Sequence, residues 1–202
     1  MSKEELASRD NWQTKSGLKA LNAEKNLYKV FEKHFEGSNY ILYEKPTHLK
    51  NLYAHVQLPD YVVSQIYNPP ILIETAKWGV SPDFAIENKQ TGKILFGEIK
   101  RQDGWVEGKE PSAGRGNAHE RLCKLFTPGL LKAYREIGKI NTTEILPFWV
   151  VFVGDITRDP KRNREVAFWF DEYDKNFFMW RPNMTDKDLT DHFDKYLKPY
   201  LE

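Results

Sequence analysis

The stretch SPDFAIENKQTGKILFGEIK, residues 81–100, contains two apolar runs that flank a polar segment ending in glycine. Residues 82–87 and 93–100 are predicted to be β-strands, and the polar segment is predicted to be the turn that joins them as a hairpin. The second strand carries Glu98 and Lys100. Charged side chains are unexpected in a strand that enters a core, because their desolvation must be offset by a partner.

The predicted hairpin brings two carboxylates together. Its turn centres near Gln90 and Thr91, so Asp83 lies about as far before the centre as Glu98 lies after it. In a regular hairpin such residues lie opposite each other, with Cβ atoms about 5 Å apart when they share a face. The two charges would repel each other, and a divalent cation between them would reverse that effect. Since Mg²⁺ prefers carboxylate oxygens, Asp83 and Glu98 are candidate metal ligands.

Lys100 follows Glu98 by two residues, so its side chain leaves the same face of the strand. There it could orient an attacking water, favour hydroxide or hold a phosphate oxygen. Two acids and a lysine on adjacent strands suit metal-assisted hydrolysis of a phosphodiester. The alternative is an ordinary solvated Glu98–Lys100 ion pair, which is disfavoured by the apolar residues before Glu98 and by the Pro82-Asp83 pair.

Outside the hairpin the chain predicts an α/β fold, with a central mixed β-sheet flanked by α-helices. A length of 202 residues predicts a single domain over residues 1–202. The strand at 145–153 is apolar on both faces and is expected inside the sheet. Helices are predicted at 18–35, 61–67, 118–137 (with a break at Pro128-Gly129) and 186–201, and further strands at 39–43, 145–153, 165–170 and 177–180.

Composition and missing motifs exclude several classes of function. The formal net charge is +1, so any DNA-binding surface must be a local basic patch. The single cysteine, Cys123, suits a reducing compartment. The N-terminal residues lack the apolar region of a signal peptide, and no run is long enough to span a membrane, so a cytoplasmic protein is expected. Nucleotide-binding glycine motifs, HExxH and GxSxG are absent from the sequence.

The segment GRGNAHER, residues 114–121, has the composition of a DNA-reading loop. Glycine lets a backbone approach a groove closely, Asn117 can pair bidentately with adenine, and Arg115 and Arg121 can pair with guanine. Residues 111–139 contain six Lys or Arg and two Glu. A second basic cluster, which is either a phosphate contact or a solvated hairpin turn, consists of Arg158, Lys161, Arg162 and Arg164.

These motifs resemble a known family. SPDF followed by GEIK resembles the signature of PD-(D/E)XK nucleases, and GRGNAHER resembles the GNAxER segment of type II restriction endonucleases that cut at an AATT core, a group that includes EcoRI and MunI. Similarity to the MunI branch covers nearly the whole chain and includes WGVSPDFAIEN and LPFWVVFVGDITRDPKR. The resemblance implies a restriction-endonuclease-like fold, Mg²⁺ as the cofactor and double-stranded DNA, with the site CAATTG, as the substrate.

The resemblance also implies roles for particular residues. Asp83, Glu98 and Lys100 match the family's catalytic residues, and Asp83, Glu98 and the backbone carbonyl of Ile99 match its metal ligands. His119 stands where the EcoRI form has isoleucine, which leaves the local packing open. The residues that match the DNA-recognition segment are Arg115, Gly116, Asn117, Ala118 and Arg121.

The implied partners follow from the implied reaction. A palindromic site read by one loop per subunit requires a two-fold homodimer. A restriction enzyme in a prokaryotic cytoplasm is expected to have a cognate DNA methyltransferase that protects host DNA, and no membrane partner. Two alternatives stay open at this point: a structure-specific PD-(D/E)XK repair nuclease, and a sequence-specific DNA-binding protein that does not cut.

Overall fold

The computed structural model describes residues 21–67, 75, 77–103 and 120–202. Within them lies a five-stranded sheet with the strand order β1-β2-β3-β4-β5. β2 is antiparallel to both β1 and β3, whereas β4 is parallel to both β3 and β5, so the sheet is mixed, as predicted. The strands are Tyr40–Glu44 (β1), Phe84–Asn88 (β2), Lys93–Arg101 (β3), Phe148–Val153 (β4) and Phe177–Trp180 (β5).

Helices cover both faces of this sheet. A helix that covers a sheet presents an apolar stripe to it, and the helix at residues 21–34 (α1) has such a stripe at Leu27 and Phe31, both 0% exposed. The predicted α/β architecture is confirmed. The α-helices are residues 21–34 (α1), Asp60–Val63 (α2), Pro128–Gly138 (α3), Pro160–Phe170 (α4) and Asp186–Tyr196 (α5). The 3₁₀ segments are Leu52–His55, Glu120–Phe126, Asp155–Arg158, Asp171–Asn176 and Lys198–Tyr200.

The side chains of β3 alternate between two apolar cores, one on each face of the sheet. Leu95 and Ile99 belong to the core that α1 and α5 cover. Ile94 and Phe96 belong to the core that α3 and α4 cover. By the same alternation the face of Phe96 continues with Glu98 and then Lys100. The two charged residues therefore lie on the α3 side of the sheet.

The hairpin has the predicted register. Phe84 pairs with Gly97 and Asn88 pairs with Lys93, so continuing the register by one residue sets Asp83 opposite Glu98. Gly97 is needed at this point, because a Cβ there would lie 2.0 Å from the ring of Phe84. The close contact of that ring with the backbone of β3 keeps the last pair of the ladder in place directly before the two acids.

The strand predicted at 165–170 is wrong, because this segment belongs to helix α4. Phe168 and Phe170 stand two residues apart and suggest a strand, yet Phe168 is 83% exposed whereas Phe170 is fully buried. The helix begins at a strong local signal that outweighs the alternation. The side chain of Asp159 accepts a hydrogen bond from the backbone of the first turn, and Pro160 occupies the first position.

The strand predicted at 177–180 has the predicted bounds, and the other elements are found with shifted ends, although residues 18–20 and 118–119 of two predicted helices lie outside the described residues. The strand predicted at 145–153 begins at Phe148 and lies inside the sheet, between β3 and β5. The helix predicted at 118–137 is divided at Thr127, where the 3₁₀ segment ends and α3 begins with Pro128. The predicted helix at 61–67 is confined to α2, and the C-terminal helix ends at Tyr196.

Candidate active site

The site begins where the β2–β3 ladder ends. The Ile99 N–H donates a hydrogen bond of 2.8 Å to the side-chain Oδ2 of Asp83, so a carboxylate takes the place of a strand partner. Because the N–H and C=O of one strand residue point to the same neighbouring strand, the Ile99 carbonyl also points to the side on which Asp83 lies. A carboxylate and a carbonyl oxygen thus face the same space.

The backbone of Asp83 is held from two other elements. The Tyr28 hydroxyl of α1 donates a 2.8 Å hydrogen bond to the Asp83 carbonyl, and the Lys45 N–H donates to the same carbonyl at 3.0 Å. Burial, followed by the charges of Glu24 and Asp83, raises the pKa of Tyr28. Its hydroxyl therefore stays protonated as a donor. Sequence reasoning missed Tyr28, since the helical pattern of α1 does not indicate which neighbour its hydroxyl meets.

Glu98, Asp83 and Lys100 converge. The Lys100 Nζ lies 2.5 Å from Glu98 Oε2 and 3.7 Å from Asp83 Oδ2. Glu98 is 5% exposed, and the side chains of Lys100 and Asp83 are 17% and 22% exposed. The predicted proximity of the three residues is confirmed. One ammonium faces two carboxylates, so the trio carries a net negative charge.

The electrostatics of the site favour a further cation. Burial raises the pKa of Glu98; Lys100 opposes this shift, and the charge of Asp83 adds to it. A hard cation between the carboxylates would offset both the desolvation and the repulsion. Among the residues that the structure describes, no group of three or more His, Cys, Asp or Glu is arranged so that it could hold a metal ion. Mg²⁺, however, typically takes one or two carboxylates and completes its shell with water and phosphate oxygens, so the donor set here fits it.

Only part of the predicted recognition segment can be placed. Arg121 is exposed and lies on the 3₁₀ segment Glu120–Phe126. In a 3₁₀ helix residues three apart eclipse each other, so Lys124 lies on the same edge as Arg121, while Leu122 and Leu125 are buried. The recognition residues outside the described part of the chain are Arg115, Gly116, Asn117 and Ala118.

Lys124 links that segment to the acids, and sequence reasoning did not single it out. Its charge lowers the pKa of Glu98, as the smallest of the contributions from neighbours. A cation that acts on the buried acid therefore lies on the segment that carries Arg121. Folding brings it there from a position well beyond the hairpin, and no local pattern indicates that approach.

The residues after Lys100 have structural partners. Arg101 donates to both carboxylate oxygens of Asp103, at 3.0 and 3.3 Å. The Gln102 N–H donates to the Val153 carbonyl, and the Ile156 N–H donates to the Gln102 carbonyl. These contacts tie the end of β3 to the end of β4 and keep Lys100 in register with the site.

The second basic cluster lies on and before helix α4, so its interpretation as a hairpin turn is wrong. Arg158 forms an ion pair with Asp155, and Arg162 forms one with Glu165 at 2.5 Å. These partners reduce the charge that the cluster offers. The prediction of a phosphate contact stays untested.

A family model described as type II restriction enzyme MunI matches residues 1–202. The chain belongs to this family. It is 69% identical over 202 residues to the type II restriction enzyme MunI of Mycoplasma sp., with 100% of each chain covered. A crystal structure of MunI restriction endonuclease in complex with cognate DNA matches with a TM-score of 0.82 and 70% sequence identity, over 95% of this chain and 98% of that chain.

Membership in the MunI family confirms three predictions made from sequence: the family, the enzyme class and the fold class. The chain is a type II restriction enzyme with a mixed, helix-flanked sheet. Family membership disfavours both alternatives, the repair nuclease and the protein that binds without cutting. In the part of the chain that the structure describes, no helix has the length and apolar character needed to cross a membrane.

Proposed function

We propose that this MunI-family enzyme cuts double-stranded DNA at the palindrome CAATTG. The observation that carries the proposal is the convergence of Asp83, Glu98 and Lys100 where the β2–β3 ladder ends. The segment GRGNAHER supports an AATT core, and the related MunI structure is bound to cognate DNA. The products would have 5′-phosphate and 3′-hydroxyl ends with AATT overhangs.

Mg²⁺ is the proposed cofactor, held by Asp83, Glu98 and the Ile99 carbonyl. When bound it would supply a Lewis acid that stabilises negative charge developing on the scissile phosphate. The protein residues orient these ligands. The Ile99 N–H fixes the Asp83 carboxylate at 2.8 Å, and the strand register sets Glu98 opposite it.

Lys100 is proposed to act on the water or the phosphate. Its ammonium contacts both acids, so it lies beside the space that the scissile phosphate would enter. Once those carboxylates have another cation as partner, the ammonium can turn to a phosphate oxygen or to the attacking water. Attack in line with the leaving 3′-oxygen would then cleave the strand.

Recognition and assembly are proposed from the sequence. Asn117 would pair with adenine, and Arg115 would read guanine in the outer base pair. Gly116, Ala118 and Arg121 would complete the segment. Since each subunit supplies one such segment, a palindrome requires a homodimer. We propose that the enzyme acts in a prokaryotic cytoplasm beside a DNA methyltransferase that protects host sites.

The decisive experiment is digestion of a sequenced plasmid in Mg²⁺ with mapping of the ends. We expect cuts at CAATTG alone, with AATT overhangs. The matched control is the same plasmid with its CAATTG sites changed to GAATTC, which keeps the core and exchanges the outer pair. Cuts unrelated to an AATT core would indicate a repair nuclease. Tight binding to CAATTG without any cleavage would indicate a DNA-binding protein, and equal cutting of both plasmids would refute the proposed outer pair.

A further inference from the structure

Tyr134 is a fully buried residue of α3 whose hydroxyl has no hydrogen-bond partner in the described part of the chain. Buried tyrosine hydroxyls usually have one, because an unmet donor in an apolar site is costly. Its ring packs against Phe96, with 5.0 Å between the ring centroids. The ring is thus accounted for by core packing, but the hydroxyl is not.

The packing of α3 on β3 indicates the direction of this hydroxyl. Gly138 lies so close to β3 that a Cβ there would be 2.4 Å from the Ile94 carbonyl oxygen. Tyr134, one helical turn earlier, meets Phe96, two residues further along β3. The rise of one helical turn, about 5.4 Å, is close to the length of two strand residues. Since an earlier helix residue meets a later strand residue, α3 runs antiparallel to β3. Helical side chains tilt toward the helix N-terminus, which directs the Tyr134 hydroxyl onward from Phe96 to Glu98.

The electrostatics agree with this direction. The pKa of Tyr134 is raised, first by burial and then by the charge of Glu98, with smaller contributions from Tyr53 and Asp83. Both acids of the site therefore act on this phenol. Because its pKa is raised, the hydroxyl keeps its proton near neutral pH and can serve as a hydrogen-bond donor.

We propose that Tyr134 is a positioning residue of the metal site, whose hydroxyl donates a hydrogen bond to the Glu98 carboxylate when the metal is bound. The inference rests on the proposed function, since it needs Lys100 to leave Glu98 once a cation is bound between the two acids. Lys100 Nζ donates a hydrogen bond to Glu98 Oε2. When the ammonium leaves, the buried Tyr134 hydroxyl, which the packing of α3 directs along β3 toward Glu98, would replace it as a donor and keep Glu98 oriented toward the cation.

The test compares Tyr134→Phe with wild type by Mn²⁺ binding, measured by electron paramagnetic resonance, and by thermal unfolding in EDTA. Mn²⁺ affinity should fall about 10–100-fold, as expected for loss of a group that orients a metal ligand. The unfolding midpoint without metal should stay equal or rise, because an unpartnered buried hydroxyl has been removed. Unchanged Mn²⁺ affinity, or a lower midpoint in EDTA, would overturn the inference.

Two further variants keep the outcomes distinct. Tyr40→Phe makes the same chemical change in the other core, where the Tyr40 hydroxyl contacts Asn88 at 3.4 Å, and it should leave Mn²⁺ affinity unchanged. Asp83→Ala should abolish Mn²⁺ binding. If Asp83→Ala loses Mn²⁺ binding and Tyr134→Phe binds Mn²⁺ as wild type does, only the role of Tyr134 is refuted. If Asp83→Ala also binds normally, the proposed metal site itself is wrong.

Discussion

Replacing Lys100 by methionine should destabilise the metal-free enzyme, because Glu98 would keep its buried charge and lose its ammonium partner. Methionine retains most of the apolar stem, so the change removes mainly the charge. The Lys100 Nζ lies 2.5 Å from Glu98 Oε2, and Glu98 is 5% exposed, which leaves little room for water to replace the cation. Removal of one partner from a buried ion pair costs about 3–5 kcal/mol.

A proton on Glu98 would limit that loss, and this makes the effect depend on pH. A carboxyl with an ordinary pKa of about 4.3 costs about 4 kcal/mol to protonate at pH 7.5 and about 2 kcal/mol at pH 5.5. Burial already raises the pKa of Glu98, and loss of Lys100 raises it further. The folded state then binds more protons than the unfolded state, so stability falls as pH rises. We expect destabilisation of about 4 kcal/mol at pH 7.5 and about 2 kcal/mol at pH 5.5.

The assay is urea unfolding in EDTA at both pH values. The matched control is Lys187→Met, whose ammonium pairs with Asp191 on the exposed face of α5, with side chains 77% and 59% exposed; such pairs contribute at most about 0.5 kcal/mol. Adding Glu98→Gln to Lys100→Met should restore most of the lost stability, because no uncompensated charge remains. A loss equal to that of the control, or one that is larger at pH 5.5, would refute the reasoning.

Three other predictions concern separate parts of the enzyme. Asp83→Ala should abolish Mg²⁺-dependent cleavage and leave specific DNA binding measurable by gel shift; undiminished nicking would reassign this residue. Arg115→Ala should weaken discrimination at the outer base pair by about 1–3 kcal/mol, measured as relative affinity for CAATTG and GAATTC, and an unchanged ratio would count against it. Burial lowers the pKa of His192. Below about pH 6.5 the unfolded state therefore binds more protons than the folded state, and the free energy of unfolding falls. His192→Gln should lack this loss between pH 7 and pH 5.5 in urea unfolding, and a loss equal to that of wild type would exclude His192 as its cause.

Local pattern was sufficient for the hairpin and for the three charged residues of the site. The polar turn set the register that places Asp83 opposite Glu98, and strand alternation placed Lys100 on the same face. The same kind of evidence failed at residues 165–170, where apolar residues at a spacing of two lie in a helix. There the start of α4 at Asp159 and Pro160 was the stronger signal. The Asp159 side chain accepts a hydrogen bond from a backbone N–H of the first turn, and proline already has the backbone angle that the first helical position needs.

The sequence alone therefore identifies the acids and the lysine, because hairpin register and strand alternation depend on neighbouring residues, and the resemblance of its motifs indicates the family. Tyr28, Lys124 and Tyr134 needed the tertiary structure. They come from α1, from the 3₁₀ segment and from α3. Tyr28 contacts Asp83 through a hydrogen bond, and the other two interact electrostatically with Glu98, only because packing brings together elements that are distant in the chain. The way α3 packs on β3 decides the direction of the Tyr134 hydroxyl, and the pattern of apolar residues within α3 does not indicate that packing.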